Sequence, residues 1–137
     1  MTMVDTNIVL DLVTRDPQWQ LWSRRALAEA RLESSVRASA VVVGELATRT
    51  SSRVECLTLL RSFGIEPQAL DILAGYRAGE AHRAYRLAGG RREMLLADFL
   101  IGAHAEIANV PLLTRDPRRY RAYFPDLKLI APETENG

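Results

Sequence analysis

Four carboxylates in this 137-residue chain stand among apolar neighbours with little structural reason to be there. They are Asp5 in MTMVDTN, Glu45 in AVVVGELA, Asp98 in LLADFLIG and Asp116 in PLLTRDP. Most of the seventeen acidic residues lie instead on charged helix faces beside arginines, as Glu29, Glu33, Glu55, Glu80 and Glu106 do, and read as solvated surface. Asp71 in QALDILA opens a helix, so capping accounts for it. Asp11, four residues after Asn7, reads as an exposed helix position. Four carboxylates brought together repel, and a half-buried cluster of them needs a counter-charge. The only lysine is Lys128, so the economical counter-charge is Mg²⁺ or Mn²⁺, hard ions that take oxygen ligands. An ion held in this way activates water and stabilises a pentavalent phosphorus, which fits hydrolysis of a phosphodiester.

Competing chemistries fit less well. The two histidines, His82 and His104, are 22 residues apart, with no zinc-type pairing, and His104 lies off the helix face that carries Asp98. No G-x-S-x-G, G-x-x-x-x-G-K-[ST] or G-x-G-x-x-G occurs, which argues against a serine nucleophile, a P-loop and a dinucleotide fold. The single cysteine, Cys56, rules out an internal disulfide and reads as a buried, inert thiol in VECLTLLRSF.

For the four acids to meet, the chain between them must be folded back repeatedly, since they are 40, 53 and 18 residues apart. Residues 2–5 read as a short buried strand, followed by a helix over 7–13. Asp16-Pro17 reads as a cap with proline at the first helical position, opening a helix that runs to Glu33. SVRAS is a candidate second strand, and Ser39 caps a helix containing AVVVGELATR. A helix over 53–63 stops at Gly64. IEPQAL is a weak strand candidate that Pro67 would confine to an edge. Asp71 opens a helix to Leu87, and MLLADFLIGAHAEIAN is a further helix closed by Asn109. VPLLT then reads as a strand, DPRRYRAYF as a short helix and LKLIAP as a last strand.

Strands alternating with helices, with no hairpin signal, predict an α/β fold whose mainly parallel sheet is covered on both faces. In such a sheet every strand ends on one edge, where ligands bind. Asp5 and Asp116 directly follow strands, Asp98 falls in the first turn of a helix, and Glu45 lies in the helix after the second strand. All four can therefore face one mouth.

The length suits one domain, over residues 1–132, with 133–137 as a loose tail. With 47% hydrophobic and 26% charged residues the composition is that of an ordinary globular protein. A net charge of +1 supplies no global field toward nucleic acid or membrane, so any phosphate affinity must be local. Arginine occurs seventeen times, a bias that GC-rich codon usage explains as well as phosphate binding does. No apolar run approaches the roughly 18 residues of a membrane span. Asp5 and Asp11 interrupt the N-terminal apolar stretch where a signal peptide would need continuity, so a cytoplasmic location is expected.

A local source of positive charge does exist. TRDPRRYRAY places Arg115, Arg118, Arg119 and Arg121 beside Asp116, interleaved with Tyr120 and Tyr123. Cations alternating with aromatics suit single-stranded nucleic acid, and a solvated helix with inward tyrosines is the equal alternative. Arg91 and Arg92, just before Asp98, are candidates to flank the same mouth.

VDTNIVLDL at the N-terminus, VVGEL forty residues on, LADFLIGAHA and then LLTRDPRRY together resemble the PIN-domain ribonucleases, and among them the VapC-type toxins of bacterial toxin–antitoxin pairs. The resemblance runs to about residue 130. It implies a three-layer α/β/α domain, Mg²⁺- or Mn²⁺-dependent endoribonuclease activity, a homodimer, and inhibition by a VapB-like antitoxin. Asp5, Glu45, Asp98 and Asp116 match the family's four acids, as catalytic residues and metal ligands, with Glu45 acting directly or through water. Asn7 and Thr114 match its supporting polar residues. Phe99 and His104 stand where the family has small residues. A different class of protein, a receiver-like or other α/β interaction module that binds Mg²⁺ without cutting RNA, is allowed by length and fold class. A receiver, however, needs paired acids after its first strand and a late lysine, which VDTN and LLTRD lack.

Overall fold

Thr2, Met3 and Val4 are all buried, and neighbours in a strand point to opposite faces, so this strand must be covered on both sides. The computed structural model, which describes residues 1–91 and 94–132, shows how. Arg92 and the expected tail at 133–137 lie outside the described residues. The first strand, β1 (Thr2–Val4), leads into α1 (Thr6–Val13) and α2 (Gln20–Glu33), then β2 (Val36–Ser39). Helices α3 (Ala40–Ala47) and α4 (Arg53–Ser62) precede β3 (Ile65–Gln68), and α5 (Ile72–Leu87) and α6 (Leu96–Ala108) precede β4 (Leu112–Leu113). A short α7 (Arg118–Arg121) and β5 (Leu129–Ile130) complete the order.

The five strands form one parallel sheet in the order β3-β2-β1-β4-β5, a three-layer α/β/α arrangement as expected. The chain winds outward from β1 through β2 to β3, then crosses back to β4 on the other side. That reversal puts a topological switch point between β1 and β4, and a crevice opens beyond the carboxyl ends of strands at such a point. Met3 lies opposite Leu112 and Val4 opposite Leu113, so both strands end at the same level. Asp5 and Thr114 are the next residues out.

The caps follow the sequence. Ser39 accepts from the Val41 N–H, Ser52 from Glu55 and Asp71 from Ala74, while Asn109 closes α6 in the left-handed conformation (φ 56°). Pro67 lies in β3, at the sheet's edge, where a residue without an N–H is tolerated. The start of α2 differs by three residues, at Gln20 and not at Pro17. The Asp16 carboxylate accepts from both Gln18 and Trp19 N–H groups, at 2.9 Å each, holding residues 17–19 in a turn before the helix begins.

Phe99 and His104, unusual as they looked, are core residues. Phe99 is fully buried among His82, Tyr85, Tyr123 and Phe124, with ring centroids 5.0–6.3 Å away. Gly102 provides the close approach that seats α7 on α6: a Cβ there would come within 2.6 Å of Phe124 and 2.9 Å of Tyr120. The consequence is functional, because Tyr120 reaches the sheet edge from this seat. Among the described residues, no helix is long and apolar enough to cross a membrane.

Candidate active site at the switch point

Asp5 follows β1 and caps α1, its Oδ1 accepting from the Thr6 N–H at 2.8 Å. Its Oδ2 faces β4 and α7. There it accepts from the hydroxyls of Thr114 and Tyr120, each at 2.8 Å, and from Asn7 Nδ2 at 3.4 Å. Thr114 Oγ1 also accepts from Asn7 Nδ2 at 3.3 Å and from the Asp116 N–H at 3.0 Å. A single lattice thus joins the end of β1 to the end of β4. The carboxyl of Asp5 is pushed up to about 6 from an ordinary 3.8, chiefly by burial. Hydrogen bonds from Tyr120, Thr114 and Thr6 pull the other way, and the charge of Asp98 adds to the rise. Burial wins, and Asp5 is costly to ionise here.

The other three acids approach from separate elements. Glu45, on α3, accepts from Thr6 Oγ1 at 2.6 Å, which ties it to the start of α1. Asp98 sits in the first turn of α6, where its Oδ2 accepts from the Leu95 N–H at 2.8 Å. Asp116 follows β4. Between the last two lies Arg119, with Nη1 at 3.1 Å from Asp98 Oδ1 and Nε at 2.8 Å from Asp116 Oδ2. Partial burial works against the charged guanidinium, yet Asp98, Asp116 and Asp5 outweigh it and hold Arg119 above its ordinary value.

Several expectations change in this light. The acids were expected to depend on a metal ion for counter-charge, but Arg119 supplies one from within the chain. Among the described residues, no group of three Asp, Glu, His or Cys side chains is drawn together tightly enough to hold an ion as it stands. Of the two readings of Tyr120, stacking platform or inward-packed tyrosine, the second holds: it is fully buried, and its hydroxyl serves Asp5. Asp11 was expected to be exposed but is 1% exposed. It accepts from Ser23 Oγ at 2.7 Å and from Arg115 Nε at 2.9 Å, pinning α2 and the β4 exit to α1. Arg115 is therefore committed to a structural ion pair, while Arg118 and Arg121 lie exposed on α7. Arg91 is exposed as well.

Tyr120 and Thr6 are the site's missed members, and Arg119, expected as an RNA contact, stands between two of the acids. For Arg119 a local signal existed, since Asp116 and Arg119 stand three residues apart at the start of a short helix. Nothing local marks Tyr120 or Thr6.

The donor set suits a hard divalent cation: every side-chain atom the four acids offer is a carboxylate oxygen. Arg119 already occupies the cation's electrostatic position between two of them. The residues fit such an ion in kind, provided the guanidinium gives way.

A family model described as the PIN domain matches residues 2–125 of this chain. Among solved structures, VapBC2 from Rickettsia felis, bound to a DNA fragment from its promoter, is similar at a TM-score of 0.72 and 20% identity, covering 95% of this chain and 97% of that one. VapBC-1 from nontypeable Haemophilus influenzae gives 0.70 at 19% identity, covering 95% and 96%. FitAcB from Neisseria gonorrhoeae gives 0.62 at 22% identity, again covering 95% and 96%. At these identities the likeness is one of fold. No curated protein sequence matches the chain.

Proposed function

The chain belongs to the PIN domain family, and from that premise we propose that it is a divalent-metal-dependent endoribonuclease, the toxin of a VapBC-type pair. The observation that carries the reading is the convergence of Asp5, Glu45, Asp98 and Asp116 on the switch point between β1 and β4, with their supporting hydroxyls already in place. Asp5, Asp98 and Asp116 would hold Mg²⁺ or Mn²⁺, with Glu45 acting directly or through water. When bound, the ion supplies an activated water and neutralises charge on the phosphodiester.

The chain's own residues do the rest. Tyr120, Thr114 and Asn7 fix the orientation of Asp5, so that no reorganisation is needed when it ionises. Thr6 fixes Glu45 in the same way. Arg119 neutralises Asp98 and Asp116 in the metal-free protein, and its side chain, nearly half exposed, is free to turn outward toward a phosphate. Arg118 and Arg121 on the same short helix extend that positive surface. The similar solved structures are toxin–antitoxin complexes, which supports a VapB-like antitoxin as inhibitor, and we place a homodimer and a cytoplasmic site of action with it.

The purified protein, freed of antitoxin, is expected to cut RNA in Mg²⁺ or Mn²⁺ and to stop in EDTA. Undiminished cleavage in EDTA would overturn the metal mechanism.

Arg119 gives a second expected outcome. Arg119→Gln removes the cation that competes for Asp98 and Asp116, so calorimetric titration should show Mn²⁺ binding about threefold to tenfold tighter, the modest range of part-exposed ion pairs. Weaker Mn²⁺ binding in this variant would mean that Arg119 helps shape the ion's seat instead of occupying it.

A further inference from the structure

We propose that the groove between α2 and the end of β5 is a stacking subsite for one unpaired nucleobase of the RNA, a proposal that rests on the ribonuclease reading above. The groove encloses about 670 Å³ and is walled by Trp19, Trp22 and Arg25 on one side and Ile130 to Pro132 on the other. Trp19 and Trp22 are both half-buried and meet edge to face, with centroids 6.3 Å apart and planes at 88°. Two perpendicular indoles form a corner that accepts a flat ring, stacked on one and edge-on to the other.

Two connections join this corner to the carboxylates. Ile130 O accepts from the Thr114 N–H at 3.0 Å, and the hydroxyl of the same Thr114 bonds Asp5. Arg115, next in sequence, lies over the Trp19 ring at 5.7 Å. Because β5 runs parallel to β1 and β4, its end opens on the same edge as the acids. The chemistry favours a nucleotide over an apolar peptide. An exposed guanidinium, Arg25, stands on the rim where a backbone phosphate would lie, although Glu29 shares that rim. A base inside a duplex is stacked on its neighbours, so the occupant must be single-stranded.

The chain has only two tryptophans and both line this groove, so fluorescence excited selectively at tryptophan, away from the four tyrosines, reports on it. The full chain in EDTA, where it binds without cutting, is titrated with a single-stranded RNA of about twelve nucleotides, within the span such sites contact. Fluorescence should be quenched saturably, and a duplex of the same sequence should leave it unchanged. Trp19→Ala should weaken binding about tenfold by anisotropy of labelled RNA, and Trp19→Phe should restore most of it. Trp19 is the better choice because Trp22 also packs on the core.

If the RNA binds by anisotropy but leaves the fluorescence unchanged, the base goes elsewhere, and this proposal fails while the nuclease reading stands. If the signal moves only on adding the co-expressed antitoxin, the groove docks protein and the proposal fails likewise. Absence of both RNA binding and Mn²⁺-dependent cleavage would overturn the underlying reading itself.

Discussion

Asp98→Asn and Asp116→Asn are each expected to lower RNA cleavage by roughly 10² to 10³ or more, the scale of losing one charge-stabilising group in an active site. Both substitutions preserve shape and remove only charge. Asp98→Asn keeps an oxygen to accept from the Leu95 N–H, so the start of α6 should survive it. Asp71→Asn is the matched control. It also alters a helix-capping aspartate, whose Oδ1 accepts from the Ala74 N–H at 2.8 Å, but on α5 and outside the site. Its cleavage should match wild type, and the measurement is the initial rate on one RNA with saturating Mn²⁺. Equal losses in all three variants would mean that the site responds to general destabilisation and not to its own charge.

Asp5→Asn carries the second large effect, and the effect is on stability. A carboxyl that titrates near 6 in the folded protein and near 3.8 when unfolded favours the folded state only while it is protonated. Stability from this group is fully present below about 3.8 and is lost as the pH rises through about 6. The loss is on the order of 3 kcal/mol in the metal-free protein. Asn lacks this loss. It keeps an oxygen for the Thr6 N–H, and the Tyr120 hydroxyl can turn to accept from its amide. Thr114 Oγ1 already accepts from Asn7 Nδ2 and the Asp116 N–H, so its O–H loses an acceptor, at a cost of about 1 kcal/mol that is smaller than the loss removed. In EDTA at pH 7 the variant should therefore melt a few degrees above wild type, and this advantage should disappear as the pH falls toward 4. A lower melting temperature at pH 7 would show that the carboxylate holds the fold together more than it strains it.

That double role of Asp5 was only half legible. VDTN announced a carboxylate at a strand end, and the parallel sheet that places it followed from alternating strands and helices without hairpin signals. Pro67 even marked its strand as an edge. What could not be read were contacts made across the fold. Tyr120 sits in DPRRYRAYF, a stretch that reads as basic surface, and it is buried because Gly102 on α6 lets α7 come close. Asp11 looked exposed because its partners, Ser23 and Arg115, are 12 and 104 residues away. Within the basic stretch Arg118 and Arg121 kept their exposure, while Arg115 and Arg119 turned to the acids. Local periodicity fixes which residues lie on a helix, but only packing decides which of them face inward.

The central claim is that these carboxylates hold a divalent ion, and the free-Mn²⁺ signal in electron paramagnetic resonance measures that without any substrate. Titrated with wild-type protein, the six-line signal of the free ion should fall as one or two equivalents are taken up. Asp98→Asn and Asp116→Asn should leave most of it in solution, and Asp71→Asn should behave as wild type. Uptake by the two site variants equal to that of wild type would contradict the account, because the ion would then be bound somewhere other than the mouth between β1 and β4.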